Sequence, residues 1–215
     1  MDLDYLKTKH LTRYFDATRR IPDESIEKFL GFLHTLPTSV NVQPNRFHVL
    51  ETPDGKEKLV NALTGRFADN AGKVASASHA IIITTRTDLP EEHLKAVNAK
   101  ERDDLRFPDL KVQAGWEAGS RDFLRIQTER DGALKHWMEK QTYLVTGASM
   151  MAAHEFGFDA TPFEGFEPKS IDDAFGISGT GFTTTLLLVM GYPDETRAYN
   201  GPISRLESDA VFTRL

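Results

Sequence analysis

Three stretches of the chain carry side chains whose types and spacing could do chemistry. The first is Lys9-His10-Leu11-Thr12-Arg13-Tyr14-Phe15-Asp16, with three potentially cationic side chains within five residues. In a chain of formal net charge −6, that cluster is either a solvated surface patch or an anion site. The second is Pro37-Thr38-Ser39-Val40-Asn41-Val42-Gln43-Pro44, closed by two prolines and rich in short hydrogen-bonding groups. It either connects a helix to a strand or offers hydroxyls and amides to a polar ligand. The third is Ala160-Thr161-Pro162-Phe163-Glu164-Gly165-Phe166. Pro162 fixes its own φ and biases Thr161 away from helix, while Gly165 permits close backbone approach. Locally this reads as a surface turn with apolar flanks, or as a rigid loop whose backbone faces a flat ligand.

What the chain lacks narrows the chemistry. It has no cysteine, which excludes disulfides, thiolate metal sites, iron–sulfur clusters and a cysteine nucleophile. There is no P-loop, no His-Glu-x-x-His and no Gly-x-Ser-x-Gly elbow. Gly176, Gly179 and Gly181 lack dinucleotide-fingerprint spacing and precede a strand, so they read as a turn. His79 has no second histidine at metal-ligand spacing and reads as a hydrogen-bonded structural residue; no metal site is expected. The side chains of hydrolytic or nucleophilic catalysis are therefore absent, and a bound cofactor that carries the chemistry fits what remains.

The elements that must position these stretches are readable from periodicity. A short helix is expected over residues 2–9 and a second from Pro22 to before Pro37, with Ile26, Phe29, Leu30 and Leu33 on its apolar face. Phe47-His48-Val49-Leu50 reads as a strand stopped by Thr52-Pro53-Asp54-Gly55, followed by a helix over 56–63 and an irregular polar run over 66–73. Residues 78–85 and 182–190 are apolar on successive positions, the pattern of strands covered on both faces. Residues 90–130 form a charged helical excursion, in which Trp116 and Phe123 anchor a core or cap a pocket. The strongest helix covers 133–156, with an apolar stripe of Leu134, Trp137, Gln141, Leu144, Ala148 and Met151, widened by Met138, Val145 and Ala152, and with Gly157 as C-cap. Its second half is small-sided, which suits close approach of another helix within the fold or across a dimer. Gln141, on that stripe, needs a partner. The 215 residues show no repeat or composition shift, so one domain over 1–215 is expected. The acidic start and the short longest apolar run, 186–190, predict a soluble cytoplasmic protein, and the net charge of −6 argues against binding to nucleic acid or an anionic membrane.

Taken together, the chain resembles the nitroreductase family of FMN enzymes, in particular the oxygen-insensitive NAD(P)H nitroreductase and dihydropteridine reductase branch. Five segments in order carry the resemblance. They are the cluster over 9–16, the loop over 37–44, Asn70 with Lys73, Trp137-Met138-Glu139-Lys140-Gln141, and Pro162-Phe163-Glu164-Gly165-Phe166. It implies an α+β fold with a mostly antiparallel central sheet surrounded by helices, as an intertwined homodimer with two FMN sites at its interface. Lys9, His10, Leu11, Arg13, Asn70, Lys73 and Arg205 would then contact FMN from one subunit. Thr38, Ser39, Asn41 and Gln141 would reach it from the other. Pro162, Phe163, Glu164 and Gly165 would lie along the flavin ring, with the backbone N–H of Glu164 at flavin N5. Phe123 would overhang the substrate pocket. No side chain is an obligatory acid or base: the flavin carries the chemistry, tuned by Arg13 and Lys73. The implied activity is ping-pong, two-electron reduction of nitroaromatics, quinones or pteridines by NADH or NADPH. The alternatives are a flavin-binding or sensory protein with little turnover, or another flavin chemistry of the superfamily. Lys9 stands where close relatives have an arginine, Leu11 where they have a serine, and Ile203 where they often have a second basic residue. These departures imply weaker FMN binding unless Arg197 or another cation substitutes.

Overall fold

A computed structural model describes residues 11–199 and 201–215. The expected helix over 2–9 and the residues Lys9 and His10 lie outside the described residues.

A four-stranded, wholly antiparallel sheet forms the centre. Its strands are β1 (Asn45–Leu50), β2 (His79–Arg86), β3 (Asp159–Phe163) and β4 (Phe182–Gly191), in the spatial order β1-β2-β4-β3. The two inner strands are β2 and β4, the continuously apolar ones. Alternation explains why. Ala80, Ile82, Leu187 and Val189 enter one apolar cluster, and Ile81, Ile83, Leu186, Leu188 and Met190 enter another. Successive strand residues point to opposite faces, so a strand covered on both sides must be apolar at every position. The register of β2 on β4 shifts between Ile83 and Thr84.

The first face is covered by α2 (Pro53–Ala62), α3 (Ala71–Ser76) and α7 (Pro168–Ala174), through Leu59, Val74 and Ile171. The second is covered by α1 (Asp23–Thr35) and α6 (Leu134–Ala152), through Ile26, Phe29, Leu33 and Val145. Between the inner strands the chain runs through α4 (Glu91–Asp103) and α5 (Leu110–Asp131), which bear on a third cluster of Val42, Leu124, Trp137 and Met138. A short α8 (Ser208–Val211) lies near the C-terminus.

Local chemistry sets the element ends. Asp109 caps α5, its carboxylate accepting from the N–H groups of Lys111 and Val112 at 2.8 and 2.9 Å. Gly132 closes α5 at φ 74° and Gly157 closes the turn after α6 at φ 84°, both left-handed positions that favour glycine. Asp172 is buried, and its carboxylate accepts from Thr184 N–H at 2.9 Å and from the hydroxyls of Thr183 and Thr184, which fastens α7 to β4.

Four local expectations are corrected. Thr52-Pro53-Asp54-Gly55 is the capped first turn of α2: Thr52 Oγ1 accepts from Gly55 N–H, and proline suits the first helical position. Residues 66–73 are ordered, as a 3-10 segment Gly65–Asn70 running into α3. The stretch opening at Ala160 is half strand, because β3 is an edge strand and an edge tolerates Pro162. The buried face of α6 keeps only part of the expected stripe. Trp137, Met138, Gln141, Val145 and Ala152 are buried, and Thr142, Thr146 and Ser149 join them, whereas Leu144 is 58% exposed and Tyr143 46%.

Candidate functional site

β3, α3, the end of α6 with the turn after it, and the segment leading to Phe15 converge on one cleft of about 870 Å³, within the ~300–1,000 Å³ usual for small-molecule sites; Phe163, Glu164 and Gly165 stand just outside its lining. Arg13, Lys73 and Arg205 line it, together with Leu11, Asn70, Pro162 and Ile203. Residues far apart in sequence thus meet, and they include seven of the positions singled out above or flagged as departures.

The cations are the dominant feature of the cleft. Among the described residues, Arg13, Lys73 and Arg205 make no ion pair with a carboxylate. Lys73 is half-buried; its Nζ donates to Asn70 Oδ1 at 2.6 Å and sits 5.1 Å from the centre of the Phe163 ring. Burial pushes its pKa down, and the Arg13 guanidinium pushes it down further. Two cations that repel each other across a cleft are a site in which a bound anion is favourable.

The loop after β3 is fixed from this side. Asn70 Nδ2 donates to Gly165 O at 2.7 Å, and a Cβ on residue 165 would collide with that same nitrogen. A side chain at 165 would thus push Asn70 away and break its bond to this loop. From the other side, the Tyr143 hydroxyl on α6 donates to the Glu164 carboxylate, and burial with that carboxylate pushes the phenol up to about 12. Among the described residues no hydrogen bond uses the Glu164 N–H, one residue past the last paired position of β3.

Thr38, Ser39, Asn41 and Gln141 form a second cluster and do not line this cleft. Ser39 N–H donates to Gln141 Oε1 at 2.9 Å, which supplies the partner Gln141 needs. Gln43 N–H donates to Thr38 Oγ1 at 3.0 Å, and Asn41 Nδ2 donates to the buried Glu101 at 2.7 Å. Val40, Asn41 and Gln43 all have left-handed φ, at 47°, 54° and 44°. For the β-branched Val40 that conformation costs about 1–2 kcal/mol. Backbone strain held in place by side-chain bonds marks a loop with a constrained task. Phe123 lies beside this cluster, its ring 5.8 Å from that of Trp137.

Several lining residues are not among the sequence candidates: Met150, His154 and Asp159, together with Met151, which is expected only as part of an apolar stripe. Met150 and Met151 reach the cleft from the end of α6, and His154 from the 3-10 turn that follows it. Glu101 gave no signal within a helix charged on most faces. The described residues contain no cluster of side chains fit to hold a metal ion, and none of their helices is long and apolar enough to cross a membrane.

Residues 6–192 match the family described as the Nitroreductase family. The oxygen-insensitive NAD(P)H nitroreductase of Enterobacter cloacae is 30% identical over 210 residues, covering 95% of each chain. The protein of the same description from Salmonella typhimurium is 29% identical and covers 96% of each. A solved structure from Exiguobacterium sibiricum, in complex with FMN, superposes with a TM-score of 0.78 at 23% identity, over 99% of this chain and 96% of that one.

Proposed function

The chain belongs to the nitroreductase family, and from that premise we propose that it is an FMN-dependent oxidoreductase of the oxygen-insensitive NAD(P)H nitroreductase and dihydropteridine reductase branch. Bound FMN supplies two-electron chemistry, drawing on NADH or NADPH and delivering to an electron-poor small molecule such as a nitroaromatic, a quinone or a pteridine in ping-pong order. The observation that carries this reading is the cleft itself: three cations without a carboxylate partner among the described residues, beside an edge strand and a clamped loop.

The donor set fits FMN. Arg205, with Lys9 and His10, would hold the phosphate by charge-assisted hydrogen bonds. Arg13, Lys73 and Asn70 would face the polar edge of the ring, where their positive charge favours the electron-rich state. Pro162, Phe163, Glu164 and Gly165 would lie along the ring, with the Glu164 N–H available as a donor, and Leu11 would pack beside it. Thr38, Ser39, Asn41 and Gln141 would come from a second subunit, with Phe123 over the substrate pocket. Their separation from the cleft supports a homodimer, as does the exposed ridge of Tyr143 and Leu144 on α6. We read the chain as one cytoplasmic domain from which α4 and α5 form an excursion.

One observation favours a second reading. Ile203 lines the cleft as an apolar side chain, which suits a flavin-binding protein with little turnover. Incubation with FMN followed by gel filtration tests the proposal: one flavin retained per subunit, in a particle of dimer mass, is expected. A protein that retains no flavin contradicts it. Oxidation of NADH or NADPH with a quinone as acceptor then separates the two readings, because only the first predicts turnover.

A further inference from the structure

We propose that Arg197 is a phosphate-recognising residue at the rim of the cleft. Its guanidinium lies 3.4 Å from the centre of the Tyr14 ring, and Tyr14 lines the cleft. Two backbone bonds fix this arrangement: Arg197 N–H donates to Asp194 O at 3.0 Å, and Asp194 N–H donates to Tyr14 O at 3.0 Å. Phe15, next in the chain, pairs with Pro193, and its ring leaves no room for a Cβ on Gly191, the nearest approach being 2.8 Å. The segment carrying Arg197 is thus stitched to the segment carrying Arg13 and Tyr14.

Arg197 is exposed and makes no ion pair among the described residues. A guanidinium stacked on an aromatic face keeps its edge N–H groups free for an oxyanion, the geometry in which arginine binds phosphate. Lined by Arg13, Lys73 and Arg205, the cleft already favours an anion, and Ile203 leaves part of its wall without charge. Arg197 does not itself line the cleft; held against the Tyr14 ring, which does, it adds its charge to the same field. Two ligands of the proposed reaction carry a phosphate monoester, FMN and NADPH, and Arg197 recognises that shared group. Only the identity of the ligand rests on the flavin reading; the anion site does not.

The test compares the wild type with Arg197→Gln and Arg197→Lys. Inorganic phosphate is added first, with thermal unfolding as the readout. Phosphate should raise the unfolding temperature of the wild type and of Arg197→Lys, and clearly less that of Arg197→Gln. Dissociation constants for FMN and riboflavin, and for NADP+ and NAD+ on the flavin-loaded protein, then assign the source. A fivefold or larger weakening confined to FMN places the flavin phosphate there; one confined to NADP+ places the nucleotide phosphate there. Ile203→Lys in the Arg197→Gln background should restore affinity in the first case. An Arg197-dependent phosphate effect in a protein that binds no flavin would uphold this site and remove the flavin reading. Unchanged phosphate response, or equal weakening of the phosphate-bearing and phosphate-free ligands, overturns the proposal.

Discussion

Lys73 joins the polar side of the cleft to the clamped loop, since it donates to Asn70, which in turn donates to Gly165 O. Its positive charge should stabilise the electron-rich state of a bound flavin. Lys73→Ala should therefore lower the midpoint potential by on the order of 30–60 mV for a two-electron couple, measured by dye-linked equilibration; an unchanged potential would remove Lys73 from the site. Gly165→Ala should disturb the same joint, because the new Cβ displaces Asn70 and its two bonds. A destabilisation of about 1–3 kcal/mol in urea unfolding is expected, together with weaker FMN retention. His79 sits apart from this site. It is fully buried, its Nδ1 lies 2.9 Å from Ser78 Oγ, and burial with nearby Arg20 and Lys56 pushes its pKa down to about 4. Its folded pKa is below the unfolded one, so between pH 6.5 and 4 the unfolded chain binds the extra proton and stability falls as pH falls. Between pH 7 and pH 5 this group alone should remove about 2 kcal/mol, and His79→Phe should lose correspondingly less over that interval. Equal losses in the two proteins would show that another group titrates.

At the scale of elements, the sequence disclosed what periodicity governs and concealed what tertiary contact decides. α1, β2 and β4 follow from their apolar patterns because one face, or both, must be covered. The stretch that becomes β3 reads locally as a turn or a rigid loop because proline and glycine dominate local expectation, and its place at the sheet edge makes a strand of its first half. On α6 the expected stripe holds at Trp137, Gln141 and Val145 and fails at Leu144, while the buried face also takes in Thr142 and Ser149. Buried threonines hid that face. Thr142 Oγ1 takes up Asn45 Nδ2 and Thr85 Oγ1, both at 2.6 Å, so a polar position could be internal. The expected stripe and the observed face are both informative once two partners are allowed, one being the sheet and the other a second subunit. Leu144→Glu should leave the sheet contacts intact while placing a charge in that second contact, which weakens association at least about tenfold. Sedimentation should then show monomer, with FMN retention lost in parallel; an unchanged dimer would place the interface elsewhere.

Across the whole molecule, the cleft was legible as a set of residues but not as a place. Arg13, Asn70, Lys73, Pro162 and Arg205 were each named from the chain, and the structure brings them to one wall. Thr38, Ser39, Asn41 and Gln141, which the resemblance assigns to the other subunit, form a separate cluster. Local pattern alone does not divide the nine. Tyr143 and Glu101, which hold the two clusters in shape, went unread, since a tyrosine or glutamate on a charged helix face resembles its solvated neighbours. The central claim is that this cleft holds a flavin that passes two electrons from a nicotinamide to an acceptor. Anaerobic titration of the FMN-reconstituted protein tests it most directly. One equivalent of NADH or NADPH per bound flavin should bleach the flavin absorbance, and one equivalent of a quinone should restore it. Bound flavin that neither nucleotide bleaches would contradict the account.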